Sequence, residues 1–428
     1  MNVLVVGGGG REHALCWALD RAPSVDAVRC APGNPGVAEV ATCHAIDPTD
    51  AEEVSALARA RGVDLVVIGP EAPLVAGVAD ELRAHGIPTF GPSAEAAQLE
   101  GSKAFAKEVM DAAGVPTAGW WSGNDLDAAR AALDRFASPY VVKADGLAAG
   151  KGVVICADRQ EAEEALDAAL VRRDFGEAGR RVLIEEFLAG PEVSLFGIAD
   201  GQRARALVAA QDYKRIGDGD TGPNTGGMGA YSPVPAIGDT VVEGLGQGIL
   251  EPVAAALADR GTPYVGVLYG GLVITPDGPR VLEFNARFGD PEAQAFLPRV
   301  RPDGPGDLGT LLFAAARGDL GESPPLAWDP RACVTVVLAS AGYPASSSSG
   351  DVITGVDEAA QVPGALVFHA GTAVQAGQFV TAGGRVLAVS GLGDTVAQAR
   401  AIAYQAADRI WFHGQQRRED IAAAPLEG

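Results

Sequence analysis

The stretch NVLVVGGGGREHALCWALDRA, residues 2–22, joins a short apolar run to an amphipathic segment through four consecutive glycines. Residues 2–6 are rich in valine, which favours a buried β-strand, and residues 11–22 place apolar side chains at helical spacing. The glycines between them suit a tight turn from strand to helix. The stretch therefore predicts a strand–turn–helix unit, which is the building block of a parallel α/β sheet.

The same alternation continues over the first hundred residues. Residues 25–31, 63–69 and 87–91 are predicted strands, and residues 50–62 and 74–86 are predicted helices. In a sheet wound this way, ligands bind beyond the carboxyl ends of the strands. We expect a small-molecule site at that edge, where three loops fall: GGGGREH, APGNPG and GPEAPL.

The rest of the chain has a mixed pattern. A helix is predicted over residues 101–114, with Ser102 as its N-cap. Residues 211–235 are rich in glycine and proline and have no periodicity, which predicts a long functional loop. The other predicted helices lie near residues 158–171, 239–260, 308–320 and 395–411, and the predicted strands include residues 263–275, 279–287, 333–339, 366–369 and 379–390.

The composition limits the classes of function. The 428 residues are 47% hydrophobic and include 33 basic against 55 acidic residues, which gives a formal net charge of −22. So acidic a surface repels nucleic-acid phosphates and anionic lipids, so we expect neither as a partner. Five cysteines without a paired spacing, together with an N-terminus that has no signal-peptide pattern, favour a cytoplasmic protein with reduced thiols.

The first glycine turn does not match the dinucleotide-binding fingerprint. Gly7 and Gly9 would require a glycine where Glu12 stands, and no acidic residue closes the second predicted strand. A nicotinamide dehydrogenase is therefore disfavoured. The turn either only connects strand to helix or also holds a phosphate at the helix N-terminus with the help of Arg11, and the sequence leaves both alternatives open.

A second glycine-rich loop, KADGLAAGKG at residues 143–152, lies between two β-like runs. It is not a Walker A loop, because only three residues separate Gly146 from Gly150, and Gly152 replaces the Ser or Thr that would bind magnesium. Two lysines that flank a glycine-rich hairpin can neutralise phosphate oxygens while backbone N–H groups approach closely. We expect phosphate binding here; the alternative is a mobile hairpin with solvated lysines.

Residues 281–292, VLEFNARFGDPE, contain the most specific cluster of polar side chains. On a strand, Glu283, Asn285 and Arg287 share one face, while the residues between them are apolar or small. Carboxylate and amide oxygens suit Mg²⁺ or Mn²⁺ that bridges substrate phosphates. Arg287 can then stabilise charge on a transferring phosphoryl group. A salt-bridged edge strand is the alternative, but such a strand would not require Asn285.

Together these segments resemble the ATP-grasp superfamily, and more specifically the glycinamide ribonucleotide synthetase family of purine biosynthesis. The resemblance covers nearly the whole chain and is most specific in GPNTGGMGAYSP and FNARFGDPE. It implies that ATP, glycine and 5-phosphoribosylamine give glycinamide ribonucleotide, ADP and phosphate through an acyl phosphate. No covalent enzyme nucleophile is needed, in agreement with the lack of a Ser–His or Cys–His signature. The alternatives are another ATP-grasp carboxylate–amine ligase and a nucleotide-binding regulator without turnover.

The resemblance also implies an architecture. It is α/β, with an α+β central part, and has three domains: an N-terminal parallel-sheet domain (1–101), an ATP-grasp domain (102–325) with a lid at about 120–190, and a β-rich C-terminal cap (326–428). The implied partners are the small-molecule substrates, without nucleic acid or membrane, and a monomer is favoured.

The residues that the resemblance implies fall into four groups. The ATP-binding group is Lys103, Lys143, Gly146, Gly150, Lys151, Gly152, Glu185, Phe187, Leu188 and Glu192. The catalytic group is Arg287, Asp290 and Lys151. Glu283 and Asn285 are the implied ligands of Mg²⁺ or Mn²⁺. The substrate-binding group is Gly8, Gly10, Arg11, Asn34, Asp212, Lys214, Arg215, Asn224 and Met228.

Overall fold

The structure, a computed structural model, describes residues 1–146 and 152–426. The N-terminal strands are β1 (Asn2–Gly7), β2 (Ala27–Pro32), β3 (Thr42–Cys43), β4 (Leu65–Ile68) and β5 (Thr89–Phe90). All their pairings are parallel, in the order β3-β2-β1-β4-β5, which confirms the predicted sheet. The helices of this part are α1 (Gly10–Asp20), α2 (Ala51–Ala60), α3 (Glu71–Val75), α4 (Val78–Ala84) and α5 (Gln98–Gly101). The three loops at the carboxyl edge follow β1, β2 and β4, as expected.

The prediction of one continuous helix over residues 74–86 is wrong. The chain forms two short helices, α3 and α4, with Gly77 between them at a φ of +82°. Glycine takes this left-handed conformation without the steric cost that other residues have, so the chain turns there instead of continuing the helix.

The region predicted as the lid is a small antiparallel sheet with helices on one face. It follows α6 (Lys103–Ala113), which Ser102 caps as predicted by accepting the N–H of Phe105. Its described elements are β6 (Trp120–Gly123), α7 (Leu126–Ala132), β7 (Tyr140–Ala144), β8 (Val153–Cys156), α8 (Arg159–Leu170) and β9 (Val182–Glu186), with strand order β6-β9-β7-β8. Val142 and Ile184 pack against Leu133 and Leu166 on the helical face, so alternate residues of β7 and β9 face the opposite side.

The remaining elements build the main sheet and its cover. The strands are β10 (Glu192–Asp200), β11 (Ala204–Asp212), β12 (Arg215–Gly217), β13 (Thr221–Asn224), β14 (Gly229–Ser232), β15 (Val265–Thr275), β16 (Gly278–Asn285), β17 (Val300–Arg301), β18 (Ala327–Trp328), β19 (Ala332–Ala339), β20 (Ser349–Val352), β21 (Ala365–His369), β22 (Thr372–Gln375), β23 (Gln378–Ala382) and β24 (Arg385–Gly393). The helices are α9 (Asp239–Leu245), α10 (Glu251–Asp259), α11 (Glu292–Phe296), α12 (Leu308–Arg317), α13 (Val356–Ala360) and α14 (Val396–Ala407). A continuous antiparallel sheet runs β16-β15-β10-β11-β14-β19-β24-β21, so strands of the central and C-terminal parts share one sheet.

Two predictions in this part are wrong. Residues 211–235 are not one long loop, because they contain the β12–β13 hairpin and the buried strand β14. Strand β14 (GAYS) lacks β-branched residues, and its pairing with both β11 and β19 outweighs that weak local preference. The strand predicted over residues 379–390 is two strands, since the chain turns at Gly383 and Gly384 between β23 and β24.

One helical run is long and apolar enough, by length and composition alone, to cross a membrane. It is Asp239–Asp259, which has 21 residues. A stretch of 18 residues within it has a mean hydropathy of 1.2, and 44% of that stretch is buried. Helix α9 and the π-helical turn Gly246–Leu250 contact β11, and α10 contacts α6. Leu250, Val253 and Leu257 are buried in the main core, which is the position of a covering helix on the sheet.

Candidate functional site

A buried cluster of two lysines and one carboxylate lies on the face of the lid sheet opposite its helices. Glu185 on β9 is 2% exposed, and its Oε2 lies 3.0 Å from Lys143 Nζ on β7 and 3.2 Å from Lys107 Nζ on α6. Its Oε1 is buried and has no hydrogen-bond partner among the described residues. The structure thus brings together two predicted ATP-binding residues, Lys143 and Glu185, and adds Lys107, which the sequence analysis missed.

The second glycine-rich loop starts next to the N-terminus of α6. The Lys103 Nζ donates to the carbonyl of Gly146 at 3.4 Å, and Asp145 Oδ1 accepts the N–H of Ala104 at 2.8 Å. The carbonyl of Gly152 accepts the N–H of Ala144 at 2.8 Å, which closes the far end of the loop. The predicted residues Gly150 and Lys151 lie outside the described residues.

Three other predicted ATP-binding residues, Phe187, Leu188 and Glu192, follow β9. Phe187 is 38% exposed and lines a surface groove with Arg135 and Phe136, while Leu188 is half-buried. Glu192 begins β10, and its Oε2 accepts a hydrogen bond from Lys214 Nζ at 2.7 Å. Thus Glu192, predicted to bind ATP, pairs with Lys214, which was predicted to bind a substrate.

Glu283 lies on β16, and four cationic side chains surround it. Burial alone would raise the pKa of Glu283, but Lys214, Lys143, Lys103 and Arg287 together hold it below its usual range. The carboxyl group is therefore ionised at neutral pH. An ionised carboxylate two residues before an amide oxygen is a suitable ligand pair for a hard divalent cation.

The described side chains near Glu283 can supply only some of the ligands of a metal ion. Within residues 1–146 and 152–426, no group of three or more His, Cys, Asp or Glu side chains is placed to hold a metal ion. On the preceding strand, Gly271 stands directly opposite Glu283 and offers no side-chain ligand. Glu283 and Asn285 therefore fit a cation that takes its other ligands from substrate phosphates and water, which is how magnesium commonly binds.

Arg287 lies beyond the strand on which it was predicted. Strand β16 ends at Asn285, because the N–H of Ala286 donates to Glu100 Oε2 at 2.8 Å instead of to a neighbouring strand. The Arg287 guanidinium still reaches Asn285 Oδ1 at 3.5 Å and pairs with Glu100 at 3.1 Å and Glu71 at 3.4 Å. Burial alone would lower the pKa of Arg287, but these carboxylates raise it, so the cation is permanent.

Asp290 is held by an arginine from the C-terminal part of the chain. Arg385 Nη2 lies 3.1 Å from Asp290 Oδ2, and Gln294 Nε2 donates to Asp290 Oδ1 at 2.7 Å. Burial alone would raise the pKa of Asp290, but Arg385 and the other neighbouring cations keep it low. Arg385 also donates to the carbonyls of Gly226 and Gly227, so it ties the GPNTGGMG loop to Asp290. The sequence analysis missed Arg385, which directly follows Gly383 and Gly384.

Asp212 and Lys214 lie at the end of β11. Burial, with Glu292 and Glu192 nearby, raises the pKa of Asp212 to about 7, although Lys214 opposes the shift. Burial would lower the pKa of Lys214, but Asp212, Glu192 and Glu283 raise it. A half-buried carboxyl group whose pKa is raised beside a lysine ammonium is typical of a catalytic cleft.

The other predicted residues of this loop have different surroundings. Arg215 and Asn224 pair across the β12–β13 hairpin, and Arg215 Nη1 donates to the Gly222 carbonyl at 2.7 Å. Met228 is fully buried. Arg418, from the C-terminal tail, pairs with Asp220 at 2.7 Å and so anchors the hairpin.

The N-terminal candidates pack tightly around the first glycine turn. The N–H of Gly9 donates to Glu12 Oε2 at 2.7 Å, and the buried Arg11 contacts Glu12 and the Phe288 carbonyl. Glu12 thus occupies the helix N-terminus that a phosphate would use.

Asn34 completes the same region. Its Nδ2 donates to the carbonyls of Gly8 at 3.0 Å and His369 at 2.8 Å. A Cβ on Gly8 would lie 2.7 Å from the Gly33 carbonyl oxygen, and one on Gly10 would lie 2.7 Å from Gln294 Nε2. Two alternatives were open for this turn, and these contacts support the one in which it only connects strand to helix. That it also binds a phosphate stays a prediction.

Most of the chain matches the three domains of one protein family. Residues 1–100 match the N domain of phosphoribosylglycinamide synthetase, residues 101–293 its ATP-grasp (A) domain, and residues 333–424 its C domain. The chain is similar to the phosphoribosylamine–glycine ligase of Streptomyces coelicolor, with 54% identity over 425 residues that cover 99% of each chain.

Solved structures show the same fold. The crystal structure of phosphoribosylamine–glycine ligase from Thermotoga maritima superposes with a TM-score of 0.85 at 34% identity and covers 98% of this chain and 100% of its own. A biotin carboxylase domain of 2-oxoglutarate carboxylase from Hydrogenobacter thermophilus has a TM-score of 0.69 at 18% identity, over 97% of this chain and 91% of its own. The latter shows a shared fold alone. The predicted ATP-grasp architecture is thereby confirmed.

Proposed function

The chain belongs to the phosphoribosylglycinamide synthetase family, and on that premise we propose that it is a phosphoribosylamine–glycine ligase of purine biosynthesis. It joins the carboxylate of glycine to the amine of 5-phosphoribosylamine and converts ATP to ADP and phosphate. The observation that carries the proposal is the convergence of Glu283, Asn285 and Arg287 with Lys143 and Lys214 at one end of the main sheet.

The chemistry needs activation of a poor acceptor. A carboxylate resists attack by an amine in water, so the terminal phosphoryl group of ATP is first transferred to a glycine oxygen, which gives glycyl phosphate and ADP. The amine then attacks the acyl carbon, phosphate leaves, and the amine loses a proton. Positioning and charge neutralisation supply the catalysis in such a transfer.

The cations have separate proposed roles. Lys103, Lys143 and Lys151 hold the ATP phosphates, with Gly146, Gly150 and Gly152 in the closing loop. Glu283 and Asn285 hold Mg²⁺ or Mn²⁺, which would neutralise and orient the phosphate oxygens. Arg287 faces the charge on the transferring group, because Glu100 and Glu71 hold its guanidinium beside Asn285.

The substrates are proposed to meet between this site and the N-terminal sheet. Asp290, fixed by Arg385 and Gln294, orients glycine or the amine. Glu192, Phe187 and Leu188 line the nucleoside of ATP. The substrate-side group comprises Gly8, Gly10, Arg11, Asn34, Asp212, Lys214, Arg215, Asn224 and Met228, of which the buried Met228 acts by packing.

The cysteines support a route without a covalent enzyme intermediate. Burial raises the pKa of Cys333 to about 12 and that of Cys156 to about 11, and it also raises those of Cys16 and Cys43. Such thiols are almost wholly protonated at neutral pH and are poor nucleophiles. A direct attack on an acyl phosphate requires none of them.

The remaining parts of the proposal concern organisation. We propose domains at residues 1–101, 102–325 with a lid at about 120–190, and 326–428, in a monomer that acts in the cytoplasm. A different carboxylate–amine ligase and an inactive regulator are not favoured, since full-length relatives carry the ligase name and Glu283, Asn285 and Arg287 occur together.

Product identification tests the proposed function. The protein is incubated with ATP, Mg²⁺, glycine and freshly generated phosphoribosylamine, and the products are separated by mass. Glycinamide ribonucleotide is expected, and it should disappear when glycine is omitted. A product that forms equally well when alanine replaces glycine would point to a different amino-acid substrate.

A further inference from the structure

The chain uses lysine very sparingly. Of 33 basic residues only five are lysines: Lys103, Lys107, Lys143, Lys151 and Lys214. Four of them already have proposed roles with ATP or the substrates. The fifth, Lys107, is 1% exposed on α6 and has none. In a chain whose cations are mostly arginines, a fully buried lysine beside the proposed nucleotide site calls for a specific role.

Both lysines at Glu185 bind the same carboxylate oxygen. Lys143 Nζ and Lys107 Nζ lie 3.0 and 3.2 Å from Oε2, whereas Oε1 is buried and without a hydrogen-bond partner in the described part of the chain. An unpaired buried oxygen costs free energy, and an ionised carboxylate can only accept hydrogen bonds. The arrangement therefore leaves Oε1 available for a donor that is not part of the protein.

Lys107 is itself fixed at a second point. Its Nζ donates to Thr117 Oγ1 at 2.7 Å, and that hydroxyl donates to the carbonyl of Val281 on β16 at 2.6 Å. This chain of contacts connects α6 and Glu185 to the strand that carries Glu283. Because its ammonium is buried between Glu185 and Thr117, Lys107 can set the direction of the carboxylate without reaching a ligand.

We propose that Lys107 is a positioning residue for selection of the nucleotide base: it holds Glu185 Oε2 so that Oε1 accepts the C6 amino group of adenine. This inference rests on the proposed use of ATP. Hypoxanthine has an oxo group at C6, and two acceptors facing each other repel. The pair Lys107 and Glu185 thus favours ATP over inosine triphosphate, which differs from ATP in the oxo group at C6 and in the proton that N1 then carries.

Lys107 and Lys143 differ in their expected effects. Lys143 also approaches the Leu282 carbonyl at 3.5 Å and lowers the pKa of Glu283, so it lies towards the phosphates. Loss of Lys143 should weaken every nucleoside triphosphate alike. Loss of Lys107 should weaken ATP selectively, because only the direction of Glu185 Oε1 changes.

The test is Lys107→Met, which keeps the length of the side chain and leaves Glu185 and Lys143 as a balanced ion pair. KM and kcat are measured for ATP and for inosine triphosphate in glycine-dependent phosphate release. We expect KM for ATP to rise about tenfold, as for one lost hydrogen bond to a charged group. The KM for inosine triphosphate and the kcat with ATP should stay within about threefold, which is less than one such bond. Lys107→Arg should restore most of the preference.

Two controls separate positioning from a general disturbance. Thr117→Val alters the same packing but leaves Lys107 on Glu185, so it should keep the preference for ATP. Glu185→Gln should lose the preference, and Lys107→Met should then add little to it. If Lys107→Met lowers kcat with both nucleotides equally, or if Thr117→Val loses the preference to the same extent, the proposal is wrong.

Failure of the proposed function is distinguishable from failure of this inference. If the parent protein shows no glycine-dependent turnover, calorimetric binding of ADP and inosine diphosphate replaces the kinetic assay. A parent preference for ADP that Lys107→Met removes still supports the positioning role. If Lys107→Met does not fold, Lys107→Gln, which keeps a donor for Thr117, is measured in its place. An unchanged preference in the folded variant overturns the inference.

Discussion

The guanidinium of Arg287 lies 3.1 Å from the carboxylate of Glu100, and the other oxygen of that carboxylate accepts the N–H of Ala286. One buried acid from α5 thus ends strand β16 and sets the direction of the arginine that follows it. Burial raises the pKa of Glu100, while Arg287 opposes the shift. The pair shows how an element at the end of the N-terminal part prepares a residue of the central site.

Arg287→Lys tests the need for a planar cation. A lysine ammonium cannot bind Glu100 and Glu71 while also facing Asn285, because it lacks the fork of donors. We expect turnover to fall by about a hundredfold or more, as for the loss of one preorganised donor to developing charge. Steady-state assays at saturating ATP measure this. Arg317→Lys, at an exposed pair with Asp319, is the matched control and should keep full activity.

Glu283→Ala tests the metal site. Loss of an ionised ligand should cost several kcal/mol of transition-state stabilisation, which is about a thousandfold in turnover. The variant should still unfold in one cooperative thermal transition, because Glu283 lies in the cleft and not in the hydrophobic core. Activity is measured over a titration of Mg²⁺ and Mn²⁺, with Glu177→Ala, which is 79% exposed, as the control. Full activity at saturating Mg²⁺ would remove Glu283 from the ligand set.

The parts that the sequence predicts well are those with local causes. The valine run of β1, the N-cap at Ser102 and the alternation along β16 each depend on residues within a few positions of one another. Strand β14 has no such local signal, because its conformation depends on pairing with β11 and β19. Tertiary pairing of this kind cannot be read from a window of sequence.

Arg385→Met tests the connection between the C-terminal part and the site. The variant leaves the Asp290 carboxylate without its strongest partner and removes the donor to Gly226 and Gly227. We expect kcat/KM for glycine or phosphoribosylamine to fall by at least about tenfold, because a largely buried carboxylate loses its ion-pair partner. Arg301→Met, at an exposed pair with Asp303, should have no effect. Unaltered kcat/KM for both substrates would mean that the contact is structural only.

The histidines between the N-terminal and C-terminal parts predict a pH dependence of stability. His13 Nδ1 accepts the N–H of His369 at 2.8 Å, and both side chains are buried. Burial, with His369 nearby, lowers the pKa of His13 to about 3, and burial lowers that of His369 to about 4. In the unfolded chain, His13 and His369 bind protons as the pH falls below about 6.5. In the folded chain, the two side chains stay neutral at that pH. Stability is therefore complete above pH 6.5 and falls as the pH decreases towards 4.

His13→Asn keeps an acceptor for the His369 N–H but cannot titrate. Between pH 6.5 and 5, its free energy of unfolding should depend less on pH than that of the parent, by a difference that grows to about 1.4 kcal/mol per pH unit at pH 5. Urea unfolding at several pH values measures the two slopes. His85→Asn, which replaces a surface histidine paired with Glu81, is the control. Equal slopes for the parent and His13→Asn would contradict the assignment.

The site residues that sequence reasoning missed have distant partners. Lys107 on helix α6 pairs with Glu185 on strand β9, and Arg385 meets Asp290 from 95 residues along the chain. Neither contact has a spacing rule that would reveal it. Their only sequence signals were indirect: the rarity of lysine for Lys107, and a Gly-Gly-Arg strand start for Arg385.

Glycine-dependent ADP release with ¹⁸O-labelled glycine tests the central claim most directly. The protein is supplied with ATP, Mg²⁺, fresh phosphoribosylamine and glycine that carries ¹⁸O in its carboxylate. ADP should form only when glycine is present, and each phosphate released should contain one ¹⁸O atom, because the carboxylate oxygen that attacks ATP leaves with the phosphoryl group. ADP formation at the same rate without glycine, or phosphate free of ¹⁸O, would contradict ligation through glycyl phosphate.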